Sequence, residues 1–257
     1  MSRWSFTKCR PGVLAAALLC CTGVAATELR TAAQEGTEPK FLKDPRTGAA
    51  AGICIDIMRA IERVDPGLHF SGEQRWLPLI RMYAGMDAGT LDAFCGLSHS
   101  PERDLKYRFV GPALFSVRYH LVARREDPVV IANWDDVRKL GADSVILANR
   151  GFGGVTILQD AGMHLIDAST GSPQLNVQKL VAHRGRFFFH RNPGLQVLLD
   201  STGYGAKVRI LPTEMARSAL FFVVSKHVSA DVAERLRAAL LMLEKSGELE
   251  SIARRWE

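Results

Sequence analysis

The 257-residue chain has no apolar run approaching the roughly 20 residues that a helix needs to cross a bilayer. It also lacks a basic stripe with interleaved aromatic residues, the footprint of a nucleic-acid binder, so no nucleic-acid partner is expected. Heptads, low-complexity tracts and repeats of fixed period are missing, which excludes coiled coils, disordered linkers and solenoids. His99, His120 and His190 are acid–base candidates by residue type, but their spacing marks neither a triad nor a metal site. The glycine turn at 149–154 has no lysine of a phosphate-binding loop, so nucleotide binding is not expected, and no cofactor or metal is called for.

The first 26 residues contain no acidic side chain. Arg3, Lys8 and Arg10 stand before the short apolar run VLAAALLCC, and Val24 and Ala26 occupy the small-residue positions before a cut. This is the pattern of a secretory signal peptide over residues 1–26, which predicts an exported, periplasmic protein without stable membrane insertion. A lipid anchor is the lesser alternative, because Cys20 and Cys21 are not preceded by a small residue. Removing the three basic residues lowers the formal net charge from +6 to +3, so the basic pI belongs partly to the leader. Cys9, Cys20 and Cys21 leave with it. Cys54 and Cys95 remain, and an even pair in an oxidising compartment points to a disulfide, with two buried thiols as the alternative.

Along the remaining chain, strand and helix patterns alternate. ELRTAAQ reads as a strand, and CIDIMRAIERV puts Ile57, Ile61 and Val64 on one helical face. TLDAFCGL and the long LFSVRYHLVARRE are β-rich, and SPQLNVQKLVAHRG reads as a helix with Ser172 as cap and Pro173 at its start. Asn133 is a second cap candidate, and Ser246–Gly247 splits the two closing helices. Such alternation predicts an α/β protein with largely parallel sheets, and glycine turns after strands suggest ligand sites at strand carboxyl ends.

Three stretches in order, GICIDIMRAI, GTLDAFCGLSHSPERDLKYRFVGP and LFFVVSKH with LRAALLMLEKSGELESIARRW, resemble the periplasmic solute-binding proteins of ABC importers, in the polar-amino-acid-binding family 3. The resemblance implies two α/β lobes joined by two crossover strands, with a ligand cleft between them. Lobe one would be residues 27–120 plus 216–257, and lobe two residues 121–215. It implies a monomer that captures a small-molecule solute and delivers it to the permease of an ABC transporter. An exported dehydratase on the same fold, or a sensor that docks on a membrane receptor, are alternatives. The cysteine pair fits this picture, since both residues would lie near the carboxyl edge of the lobe-one sheet.

The resemblance also assigns roles. Arg103, in the Glu-Arg pair, takes the place of the arginine that grips the ligand carboxylate, and a planar guanidinium suits a planar carboxylate. Gly96 lets backbone approach the ligand and Ser98 offers a hydroxyl. Gly151 and Gly153 match the glycine turn of lobe two, although Phe152 stands where the family has Ser or Thr. Trp76 is a candidate for stacking on the ligand, Gln34 and Thr37 follow the first strand where cleft contacts occur, and Arg81 is expected at the surface.

One family feature is missing. Amino-acid binders carry an aspartate for the ligand ammonium after the strand matched by RFFFH, where this chain reads His190, Arg191, Asn192 and Pro193. An ammonium in a cleft needs an acceptor or a countercharge. A standard α-amino acid is therefore in doubt, and Arg191 together with Arg103 favours a ligand with two anionic ends or no amine. The alternative is that Arg191 points to solvent while Asn192 or a backbone carbonyl takes the amine.

Overall fold

A computed structural model describes Met1 and residues 26–256; the segment expected to be a signal peptide lies almost wholly outside the described residues. Strands β1 (Thr27–Arg30), β2 (Ala33–Gln34), β3 (Leu42–Lys43) and β4 (Ala50–Ala51) lead into helix α1 (Ile53–Val64). The single strand expected at ELRTAAQ is thus two. β1 runs parallel to β5 (Leu68–Ser71), and β2 switches partner to β6 (Trp76–Leu77). The break falls at Thr31, whose hydroxyl donates to the carbonyl of Ala93. Helix α2 (Leu79–Asp87), strand β7 (Ala93–Ser98), the short helix α3 (Pro101–Lys106) and the long strand β8 (Tyr107–Arg124) complete the first half.

The second half continues with α4 (Trp134–Arg138), β9 (Ile146–Asn149), α5 (Gly153–Asp160), β10 (Ile166–Thr170), α6 (Pro173–Val181) and β11 (Phe187–Asn192). Then come α7 (Leu195–Ser201), β12 (Val208–Ile210), β13 (Ala216–Ser225), α8 (Ala230–Lys245) and α9 (Glu248–Arg254). The expected caps are in place: Asn133 accepts from the amide of Asp136 and Ser172 from that of Leu175. Gly247, with a left-handed backbone, separates α8 from α9.

β8 and β13 pair antiparallel from Ser225↔Tyr107 to Ala216↔Tyr119 and run through both lobes. In one lobe β13 pairs with β7; in the other β8 pairs with β11, and the sheet continues to β9 and β10. Each sheet is covered on both faces. β7 is buried throughout, sending Ala93 and Cys95 to a core with α1 and α8, and Phe94 and Leu97 to a core with α2. β11 does the same in the second lobe: Phe187 and Phe189 face one core and Phe188 the other. A continuous apolar run such as FFF is what a strand buried on both faces requires.

Cys54 at the start of α1 and Cys95 in β7 form a disulfide, with Cα atoms 5.8 Å apart. Closing a loop of this sequence separation, 41 residues, stabilises the fold by about 4 kcal/mol in the chain-entropy description.

Candidate ligand-binding site

β7 ends at Ser98, and Ser100 caps α3 by accepting from the amide of Arg103, with Pro101 in the first turn. The cap places Arg103 so that its guanidinium reaches back over the strand end. Its Nη1 donates to the Ser98 carbonyl at 2.8 Å and to Ser98 Oγ at 2.5 Å. Its Nη2 donates to the carbonyl of Gly151 at 3.2 Å, in the opposite lobe. The ring of Tyr83 lies 5.8 Å from the guanidinium carbon.

Gly151 has φ +81°, Phe152 occupies the N-cap position of α5 and Gly153 starts the helix, as the glycine turn predicts. Phe152 gives α5 no side-chain cap. A Cβ on Gly153 would lie 2.6 Å from Ser98 Oγ and 3.8 Å from the Tyr119 hydroxyl, so the two lobes meet here with no room to spare. Gly194 makes a similar contact: its φ is +94°, and a Cβ there would overlap the carbonyl oxygen of Glu38.

Arg191 does not point to solvent. It lies in β11 directly across from Tyr119 of β8, only 8% exposed, with its guanidinium carbon 5.8 Å from the ring of Phe152. Its Nη2 is buried without a hydrogen-bond partner. Burial lowers its pKa, opposed by the nearby Tyr119 and Glu38. Glu38 itself lines a separate groove with Glu35, Gly36, Trp76 and Trp256.

The structure adds a cation that the sequence reading missed. Lys40, between Pro39 and Phe41, is 3% exposed. Its Nζ donates to Gln34 Oε1 and, at 3.0 Å, to the carbonyl of Gly96, and it sits 5.0 Å from the centre of the Phe94 ring. Gly96 has φ +80°, and a Cβ there would come within 2.6 Å of Lys40 Cδ, so the lysine stem needs glycine beneath it. Burial first, then the charges of Arg191 and Arg103, hold the Lys40 pKa well below the usual lysine range. Gln34 is thus a cleft residue through Lys40, and Thr37 supports it by donating its hydroxyl to the Gln34 carbonyl.

The structure therefore brings Arg103, Ser98, Gly96, Gly151, Phe152, Gly153 and Arg191 together. Trp76 is elsewhere: it lines the groove with Glu38 and Trp256, with Lys43 Nζ 5.4 Å from its ring centre. Arg81 is exposed, as expected. The histidines are scattered. His99 is largely exposed, 3.0 Å from Asp104 and packed on Phe109. His120 has its Nδ1 3.2 Å from the carbonyl of Leu211. His190 pairs with His120 across β8 and β11, is buried on Phe188 and lies 3.2 Å from the Asn149 amide. Burial, then the charge of Arg191, pushes His190 down to about 3, so it is neutral near pH 7.

Two α/β lobes crossed by two long strands, with a cleft lined from both sides, define the periplasmic-binding-protein class. Residues 29–257 match the model of the bacterial extracellular solute-binding proteins, family 3, and the chain belongs to that family. A search of curated protein sequences returned no match. Among solved structures, a histidine kinase sensor domain with similarity to periplasmic binding proteins superposes with a TM-score of 0.75 at 20% identity, over 90% of this chain and 96% of that one. A mutant of ArgBP from T. maritima gives 0.70 at 15% identity, over 89% and 94%. An ancestral amino acid-binding protein, a precursor of cyclohexadienyl dehydratase, gives 0.67 at 16% identity, over 89% and 95%. At these identities the likeness concerns the fold.

Proposed function

We propose that the exported chain is a periplasmic receptor that captures a small carboxylate-bearing solute and delivers it to the permease of an ABC transporter. It acts as a monomer and as a binder rather than an enzyme. Lobe one comprises residues 27–120 and 216–257, and lobe two residues 121–215. The observation that carries the reading is the pair of guanidiniums, Arg103 on one lobe and Arg191 on the other. Among the described residues, neither has a carboxylate partner, and Arg191 Nη2 is buried with no partner at all. A carboxylate entering the cleft supplies the missing acceptor to both lobes at once, which favours the closed arrangement. Hinge motion about β8 and β13 admits and releases it.

Family membership supports solute capture, and several solved structures of this fold are named as ABC transporter binding proteins, which supports delivery to a transporter. The likeness to a histidine kinase sensor domain supports a second reading, in which the closed receptor signals to a membrane partner. Native mass spectrometry of gently purified protein, followed by denaturation, tests capture. The expected result is a released acid bound one to one, absent from Arg103→Ala. A released solute without any acidic group would refute carboxylate capture.

A further inference from the structure

We propose that the cleft selects an amine-free acid carrying at least two negative groups, and that Lys40 is its third cationic contact and a determinant of that selectivity. This rests on the carboxylate-capture reading. It adds the number of charges, the exclusion of an ammonium and a residue with no assigned role.

The first argument is a count of acceptors. A bound ammonium needs oxygen atoms or a carboxylate around it. Four neutral acceptors at the cleft already accept from protein cations. Gln34 Oε1 and the Gly96 carbonyl accept from Lys40, and the Ser98 and Gly151 carbonyls accept from Arg103. Among the described residues, no carboxylate forms an ion pair with Lys40, Arg103 or Arg191; Glu38, whose charge reaches Arg191, lines the outer groove. An α-ammonium would enter beside these cations with no carboxylate paired there to balance it.

The second argument is a count of donors. An ammonium group has three N–H donors and a guanidinium five. Lys40 uses two acceptors, leaving a donor free, and Arg191 has a whole buried Nη2 unused. Cationic donors left without acceptors, with no carboxylate in an ion pair among them, call for a ligand that is all acceptor. One carboxylate has too few oxygens to satisfy Arg103, Arg191 and Lys40 together. Two carboxylates, or a carboxylate and another acid group, divide them.

Matched acids test this directly. The wild-type chain is titrated calorimetrically with succinate against L-aspartate and with 2-oxoglutarate against L-glutamate, each pair differing at the amine-bearing carbon; pyruvate is the single-carboxylate control and L-glutamine the amino acid with a single carboxylate. The amine-free diacid of at least one pair is expected to bind at least about thirtyfold tighter than its amino partner, the lower bound for leaving a buried charge unpaired. Lys40→Met should weaken that diacid by a similar factor, the fold being checked by its melting curve. If Lys40→Met does not fold, Arg191→Met makes the same test. Amino partners that bind as tightly as the diacids overturn the inference, as does a folded Lys40→Met with unchanged diacid affinity. Binding of L-glutamine alone overturns it and leaves carboxylate capture standing. No binding by any of these acids overturns both readings.

Discussion

Asp92 and Arg191 are equally buried, 7% and 8% exposed, and the fold treats them in opposite ways. Asp92, just before β7, accepts from the amide, Nε and Nη2 of Arg30 and from Nε2 of His227, all within 2.8 Å. These partners overcome the cost of burial and hold its carboxyl down at about 2. Arg191 has Phe152 against its face, a buried Nη2 with no partner and Lys40 as a like-charged neighbour, with only the charge of Glu38 and the Tyr119 ring opposing the cost of its burial. A charge saturated by its own chain is part of the framework. A buried charge the chain leaves unsatisfied costs stability, and persists where something from outside completes it.

The largest expected effect lies on the unsatisfied side. Arg103→Ala should weaken the bound acid by at least about thirtyfold, as for any truncated member of a buried charge pair. Titration of wild type and variant with the acid released from the native protein measures it. A variant that binds normally would mean that Arg103 serves Ser98 and Gly151 and not a ligand.

On the satisfied side, Asp92→Ala should cost about 2 kcal/mol of unfolding free energy, since it strands hydrogen bonds to charged groups. Chemical denaturation measures this loss. The same carboxyl fixes an acid limb. Its pKa is depressed in the folded state, so its contribution is present above about pH 4 and lost as pH falls towards 2. Asp167, held by Lys179 and also at about 2, titrates in the same window. The Asp92 share is therefore the part of the slope between pH 5 and 2 that Asp92→Asn removes.

Arg191→Met should behave in the opposite sense. Replacing an unpaired buried cation by an apolar side chain of similar length should leave the ligand-free protein unchanged or more stable, by up to about 2 kcal/mol, while it loses ligand. A large loss of stability would move Arg191 into the same category as Asp92.

Much of this comparison could be read in the sequence. SHSPER announced a capped turn carrying Arg103, NRGFGG announced the opposing helix start, and the absence of an acid after RFFFH marked Arg191. These are local patterns, and each is decided by neighbours in the chain. Lys40 was invisible for a different reason. Its burial depends on Gly96, Phe94 and Gln34, the first two more than fifty positions away, and nothing in EPKFL distinguishes a buried lysine from a solvated one. The surroundings of Trp76 were hidden for the same reason: they depend on Lys43 and on Trp256 at the other end of the chain. The division of ELRTAAQ into two strands was hidden too, because it reflects a change of partner from β5 to β6.

The smallest expected effect, a fraction of a proton, sharpens the comparison most. Lys40 is the member of the cleft trio whose charge can be switched. In the ligand-free protein, burial and then the flanking charges of Arg191 and Arg103 hold its pKa well below the usual lysine range. The unfolded chain then binds more protons than the folded one between the lowered and the ordinary lysine pKa, so ligand-free stability should rise with pH across that window. A dianion reverses the local field and raises the Lys40 pKa. Binding should therefore take up a proton wherever the pH lies between the free and bound values. Calorimetry in two buffers of different ionisation enthalpy reads the uptake as a difference in apparent binding heat, and Lys40→Met should abolish it. A ligand that arrives with its own ammonium would compensate the field and give little uptake. An observed proton release would mean that the group titrating on binding is not Lys40, and the cleft would then be, like the surroundings of Asp92, already balanced before any solute arrives.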